Sequence, residues 1–392
     1  MNVRFKEFSD FPKIYKLSDL VSMHARIGWQ NLRTSEFLDS GNYMLITGTD
    51  FTNGKINYAT CHYVENERYD QDKHIQLKNG NILITKDGTL GKVAIVEDLK
   101  IPATLNAGVF NVVVKDNQLV DNIYLYHYLK GPFLMNYVNK RATGGTIKHL
   151  NQNILVDFPV RLPSLIEQKK ISKMLSLLDE KIELQSKKIE DLKLFKKGLF
   201  AKLDFDVAKV YKLSDFLSEV SEKSTIVNQH EILSSTANGL FLQSEYFNKQ
   251  AASENNIGYK ILRKGQLVLS PQNLWMGNIN INDKYEIGIV SPSNKIFNID
   301  TKIINQNILA NWIKSPRALY DYMISSEQGA SVVRRNLNID LFNEITIKLP
   351  NIDVQDKLGK QIGNLNKKIE LENDKLNKLN ELKKGLMQNM FV

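Results

Sequence analysis

Residues 164–203 read SLIEQKKISKMLSLLDEKIELQSKKIEDLKLFKKGLFAKL, and the rest of the chain is organised around this stretch. Apolar residues recur in steps of four and three: Ile171, Leu175, Leu178, Ile182, then Ile189, Leu192, Leu199 and Leu203. That spacing is a heptad seam, the pattern of a long helix that packs along another helix. Gln185 and Lys196 interrupt it. Pro163 closes the preceding segment, Ser164 can cap, and Glu167 three residues on makes the composition of a capping box.

The seam returns near the end of the sequence. Pro163 and Pro350 lie 187 positions apart, and that offset carried forward without a gap gives Leu358, Ile362, Leu365, Ile369, Leu376, Leu379, Leu386 and Met390. The interruptions recur as Glu372 and Lys383. KIEL at 181–184 returns at 368–371, and KKGL at 196–199 returns at 383–386. Shared imperfections in register point to an internal duplication. It extends to the globular parts: IYKLSD at 14–19 matches VYKLSD at 210–215, and KNGNILIT at 78–85 resembles RKGQLVLS at 263–270.

The order is therefore globular block, long helix, globular block, long helix. The expected boundaries are 1–162 for the first block, 163–205 for its helix, 206–349 for the second block and 350–392 for the last helix. A helix that carries the chain to block two, followed by one that starts there, predicts an antiparallel pair with a pseudo-twofold axis. Each helix would be about 60 Å long. An ordinary helical hairpin would need a short turn joining the helices, and none exists.

Composition narrows the class. Cys61 is the single cysteine, so no disulfide framework forms, which fits a reducing cytosol. No leader-like apolar segment and no run of membrane length is seen, so a cytoplasmic location is expected. The net charge of +9 invites a nucleic-acid reading. Residues 164–203 carry ten Lys and six acids, and 351–390 carry eight Lys and six acids, so the helices hold +6 and the remainder only +3. DNA binding would then rest on local patches, with a partner supplying phosphate affinity.

Both blocks have short strands and one helical region, the α+β pattern. In block one, strands at 44–46, 82–85, 93–96 and 110–114 precede a helical stretch at 119–139 broken at Gly131-Pro132, a polar glycine loop at 141–149 and a return strand at 158–162. Block two repeats this with a strand at 267–270, a polar loop at 271–277, a helical stretch at 308–325 broken at Pro316, and a loop at 328–336. The framework is shared while the loops diverge.

Catalytic chemistry finds no support. Gly88-Thr89-Leu90-Gly91-Lys92 has two residues between its glycines where a phosphate loop has four, and Val93 stands where a Mg²⁺-binding hydroxyl belongs. A glycine turn that allows close backbone approach fits better, and its Lys86, Thr89 and Lys92 are candidate DNA contacts. The six histidines show no metal spacing, and no methyltransferase motif or cofactor loop is present. The glycine loop offers Arg141, Thr143, Gly144, Gly145, Thr146 and Lys148, cations and hydroxyls beside an unhindered glycine pair. Block two offers Gln272 and Asn273 on one loop and Arg334, Arg335 and Asn336 on another. Arginine can bind guanine bidentately, and asparagine or glutamine can do so with adenine. On the helices, the offset pairs Ser172 with Gly359 and Ser176 with Gly363, all small and beside the seam. A glycine inside a helix costs about 1 kcal/mol relative to alanine. Close approach by another chain is the expectation, with tight packing inside the pair as the alternative.

This arrangement resembles the specificity subunit of type I restriction–modification systems over nearly the whole length. The words that carry the resemblance are LPSLIEQKKI at 162–171, NGNILITKDGTLGKVAIV at 79–96, TGGTIKHLN at 143–151, ILSSTANGLFLQSEYF at 232–247 and SPSNKIF at 291–297. LPNIDVQDKL at 349–358 keeps the Pro and Gln but has Val354 where Glu167 stands. The resemblance implies that each block is a target-recognition domain for one half of a split sequence in double-stranded DNA. It implies that the helices are a spacer docking two adenine-methyltransferase subunits, which restriction subunits join. It also implies a non-catalytic chain without metal or cofactor, with S-adenosylmethionine, ATP and Mg²⁺ on the partners. On the residues alone a second class stays open: a protein-only adaptor whose blocks bind proteins along a helical strut. A DNA shift assay with the methyltransferase separates the two.

Overall fold

The computed structural model describes residues 4–27, 30–141, 149–201, 208–246, 255–328 and 335–391. The first long helix runs unbroken over Leu165–Ala201 and the second over Ile352–Met390. The expected capping box is half used. Ser164 Oγ accepts the Glu167 N–H at 3.3 Å. The Glu167 carboxylate instead takes Arg4 Nε at 2.7 Å and Nη2 at 2.6 Å. Glu167 is nearly fully buried, and a bidentate ion pair there outweighs a bond back to its own cap. In the repeat, Asn351 Oδ1 caps the Val354 N–H at 3.0 Å, so a valine at 354 does not disarm the helix start.

The chain divides into two compact units, one made of Met1–Ser186 with Asp374–Val392 and the other of Lys187–Asn373. Each holds one globular block and part of each long helix. In the first unit, Ile171, Leu175, Met387 and Phe391 join the core of block one. Phe391 lies edge-on to Tyr124 and Tyr128, with centroids 5.2 and 5.3 Å away. Farther along the pair Asp179 meets Lys383, so the helices run antiparallel within this unit. In the second unit Lys188 meets Glu372 at 2.9 Å and Lys196 meets Asn366 at 3.1 Å, again antiparallel. Lys196–Asn366 is the repeat equivalent of Lys383–Asp179.

The two blocks share a sheet topology. In block one the strands Val21–His24, Val109–Val114, Ile82–Thr85 and Val93–Ile95 lie side by side in that order, all antiparallel. In block two Leu217–Val220, Lys295–Ile299, Leu267–Leu269 and Ile279–Ile281 do the same. Ile82, Leu83 and Ile84 are all fully buried. Ile82 and Ile84 pack under the helices Asn122–Lys130 and Pro132–Arg141, while Leu83 joins a second core with Met44, Ile46 and Val109. Burial on both faces explains why NILIT is an apolar run and not an alternation. The corresponding helices of block two are Gln306–Trp312 and Pro316–Ile324. Ribbons pairing Lys13–Lys16 with Pro159–Leu162, and Lys209–Lys212 with Thr346–Leu349, bring the start of each block beside the start of its helix. The stretch expected as a loop at 328–336 differs: Ser326–Gln328 and Arg335–Leu337 pair as antiparallel strands. Among the described residues no helix is long and apolar enough to cross a membrane, and no cluster of His, Cys, Asp and Glu is placed to hold a metal ion.

Candidate nucleic-acid interface

The glycine turn of block one closes the edge hairpin of its sheet. Thr85, fully buried, braces it from within. Its Oγ1 donates to the Thr89 carbonyl at 2.5 Å and accepts the Lys92 N–H at 2.9 Å. Gly91 has φ +70°, and a Cβ there would stand 2.1 Å from Met135 Sδ, so both the backbone and the space demand glycine. The turn is thus a stiff platform that leaves Thr89 and Lys92 exposed. Lys86 Nζ sits 5.6 Å from the Phe110 ring centroid, a cation held over an aromatic face.

The end of the glycine loop docks on this platform. The Leu150 N–H donates to the Lys86 carbonyl at 2.8 Å, and His149 Nδ1 lies 2.5 Å from Asp87 Oδ1. Between them opens a cleft of about 430 Å³ lined by Arg26, Lys86, Asp87, Phe110, His149 and Asn151 among others. Arg26 is almost wholly buried and donates to the Leu105 carbonyl at 2.9 Å and Thr104 Oγ1 at 3.2 Å. Burial, with Arg68 nearby, holds its pKa below the usual arginine value. At the loop's start the Arg141 guanidinium stacks 3.6 Å from the Tyr137 ring centroid. Thr143, Gly144, Gly145, Thr146 and Lys148 lie outside the described residues.

Block two builds the same junction from other side chains. Ser270 takes the place of Thr85, and its N–H donates to the Asn278 carbonyl at 3.0 Å. The turn carries a short 3-10 segment, Leu274–Met276, ended by Gly277 at φ +85°. The Arg335 N–H donates to the Gln272 carbonyl at 3.3 Å, its Nη1 to the Met323 carbonyl at 3.2 Å, and its guanidinium sits 5.3 Å from the Trp275 ring. Gln272 and Asn336 are exposed and Asn273 is half-buried. Arg334 lies outside the described residues.

Residues 13–194 match the family described as the type I restriction modification DNA specificity domain. Over 96% of this chain and 95% of the relative, the sequence is 22% identical to the type I restriction enzyme MjaVIII specificity subunit of Methanocaldococcus jannaschii. The chain is thus similar over nearly its whole length to a type I restriction enzyme specificity subunit. It is also 25% identical, over 37% of this chain and 35% of the relative, to the EcoR124I/EcoR124II specificity subunit of Escherichia coli. In fold, it matches a crystal structure of a type I restriction–modification S subunit from M. genitalium with a TM-score of 0.61 and 14% identity, covering 100% of this chain and 99% of that one.

In both blocks of this specificity-subunit fold the structure joins two candidate segments far apart in sequence, Lys86 with Leu150 and Gln272 with Arg335. The aromatic support Tyr137 was not among the candidates. Tyr137 stands four residues before Arg141, a helical neighbour spacing that was open to reading.

The four small helix residues are turned toward their own blocks. Ser172 Oγ donates to Asp121 Oδ1 at 2.6 Å, and Ser176 Oγ lies 3.3 Å from His127 Nε2. A Cβ at Gly359 would stand 2.2 Å from Asn305 Oδ1, and one at Gly363 3.1 Å from Asn307 Nδ2. The expectation assigned this space to another chain; here the block's own polar residues take it, which accounts for the tolerance of glycine.

Proposed function

We propose that the chain is the sequence-specific DNA-recognition subunit of a type I restriction–modification complex, each globular block reading one half of a bipartite target. The observation that carries this is the recurrence of one sheet-edge junction with different side chains. Block one presents Lys86, Asp87, Thr89, Lys92, Arg141 and His149, with Thr143, Gly144, Gly145, Thr146 and Lys148 proposed beside them. Block two presents Gln272, Asn273, Arg335 and Asn336, with Arg334 adjacent in sequence. A constant frame orients the duplex, and a variable set of donors and acceptors reads base edges. Exchanging residues 206–349 for those of a relative should change one half of the methylated motif. A change in both halves overturns the reading.

The helices serve as the spacer and as the docking scaffold for two methyltransferase subunits, which restriction subunits join in the cytoplasm. The first unit exposes Leu184 and Leu382, and the second exposes Leu371 and Phe195. Leu184 and Leu371 are repeat equivalents, as are Phe195 and Leu382. Apolar side chains bared at the same places on both copies suit two copies of one partner. The chain contributes no catalytic residue in this reading. S-adenosylmethionine, ATP and Mg²⁺ belong to the partners.

A further inference from the structure

Each broken helical pair carries a lysine two residues before the proline that starts its second helix, Lys130 before Pro132 and Lys314 before Pro316. Lys130 Nζ donates to the Asn53 carbonyl at 2.8 Å, at the tip of the hairpin Phe51–Thr52/Lys55–Ile56, and is offset by Asp179 on the long helix at 3.3 Å. Lys314 Nζ donates to the Ala237 carbonyl at 3.0 Å, at the tip of the hairpin Leu233–Thr236/Gly239–Leu242. Its second bond, at 2.8 Å, goes to the carbonyl of Gly277, the residue that ends the block-two turn. The two copies thus use the same lysine to hold a hairpin tip, but among the described residues only the block-two lysine also holds the turn.

We propose that Lys314 is a positioning residue for the second half-site, tying the 233–242 hairpin to the turn that carries Gln272 and Asn273. This rests on the DNA-reading role proposed above. The surrounding contacts are polar and directional. Ser235 Oγ donates to Asn278 Oδ1 at 2.7 Å, and Asn278 Nδ2 donates to the Ser235 carbonyl at 2.9 Å. Asn280 Nδ2 reaches Ser235 Oγ at 2.8 Å and the Thr236 carbonyl at 2.9 Å. Asn278 and Asn280 are buried. Apolar contacts would let hairpin and turn slide, whereas satisfied buried polar bonds specify one arrangement. Lys314 extends that network to the far end of the turn, so the heights of Gln272 and Asn273 above the sheet depend on it.

The test uses the full chain assembled with its methyltransferase. In Lys314→Met, competition between duplexes varied in one half or the other should show second-half selectivity falling by about tenfold, the scale of one base contact, with first-half selectivity unchanged. Amide exchange at 234–240 and 271–278 should quicken in the DNA-free chain. Lys314→Arg, which keeps the charge and has several N–H donors for the two carbonyls, should restore selectivity and protection. Unchanged second-half selectivity, equal loss in both halves, or unchanged exchange would each overturn the proposal. If Lys314→Met does not fold, Lys314→Gln is read by the same measurements. A wild-type complex that recognises no bipartite target would sink the DNA reading itself, and the exchange comparison would still decide whether Lys314 holds hairpin to turn.

Discussion

Gln168 and Gln355, one repeat apart, make the same three bonds. Gln168 Nε2 donates to the carbonyls of Pro163 at 2.9 Å and Leu119 at 3.0 Å, and its Oε1 accepts the Asp121 N–H at 2.9 Å. Gln355 Nε2 donates to the carbonyls of Pro350 at 2.9 Å and Ile303 at 3.0 Å, and its Oε1 accepts the Asn305 N–H at 3.0 Å. Both side chains are nearly fully buried. Each glutamine clamps the first turn of a long helix to the segment that starts the block's broken helical pair. This is a physical reason for LPNIDVQ to keep the Pro and Gln of LPSLIEQ while other positions change.

Replacing either glutamine with leucine should therefore destabilise its own unit. Three buried or partly buried backbone groups lose their partner, and one unsatisfied buried group costs about 1–3 kcal/mol. With some relaxation the expected loss is about 3 kcal/mol. Urea unfolding followed by probes in each unit checks it. A loss below about 1 kcal/mol would show that water replaces the amide.

His127 should give the first unit an acid-sensitive term. It is almost fully buried, and burial pushes its pKa down to about 4. Unfolded histidine titrates near 6.5. Between those values the unfolded chain binds the extra proton, so the contribution is complete above pH 6.5 and is lost as pH falls toward 4. The total is about 3 kcal/mol. His127→Leu should narrow its stability gap to wild type as pH falls from 7 to 5. Parallel urea midpoints across that range would show that His127 does not titrate as its burial demands.

Arg335→Ala should weaken DNA binding through the second half-site, by about 1–3 kcal/mol at one base position if the guanidinium reads a base. If it binds phosphate, all sequences should weaken alike and the salt dependence should flatten by about one unit. Arg141→Ala should act likewise on the first half-site only. Filter-binding titrations over a salt series with half-site variants distinguish these outcomes, and unchanged affinity for both variants discards these arginines as contacts.

What the sequence revealed depended on the kind of signal. The seam and its offset of 187 were legible because periodicity survives without knowledge of any neighbour. Gly91 was legible as a turn because only backbone geometry is at stake. The meeting of Gln272 with Arg335 was not, since it depends on how distant strands pair. Spacing likewise marked Gly359 as small and beside the seam, but a face is not a neighbour, and Asn305 is contributed by a segment about fifty residues earlier. The partner of Glu167 was hidden for the same reason: Arg4 lies 163 residues away. The lysine before each helix-breaking proline was visible in both copies and could have been found by carrying the repeat through the loops.

The helix surface should show two separable uses. Gly359→Leu drives a side chain into Asn305, which also donates to Asp356 Oδ1 at 2.8 Å. The expected result is a less stable second unit, by about 1–3 kcal/mol, the usual cost of overpacking. The folded fraction should still assemble with methyltransferase at normal affinity. Leu371 and Phe195 are 61% and 58% exposed, so Leu371→Glu with Phe195→Glu should shift stability by only about 0.5 kcal/mol per site. That pair should nonetheless remove one methyltransferase copy, because a charge replaces apolar surface that a partner would desolvate. Leu184→Glu with Leu382→Glu should remove the other copy, and all four together should leave the chain without methyltransferase. Native mass spectrometry of the mixed complexes counts the copies directly. Two copies retained on the fourfold variant would move the docking face elsewhere on the molecule. Loss of assembly from well-folded Gly359→Leu would return the small-residue positions to a role in partner contact.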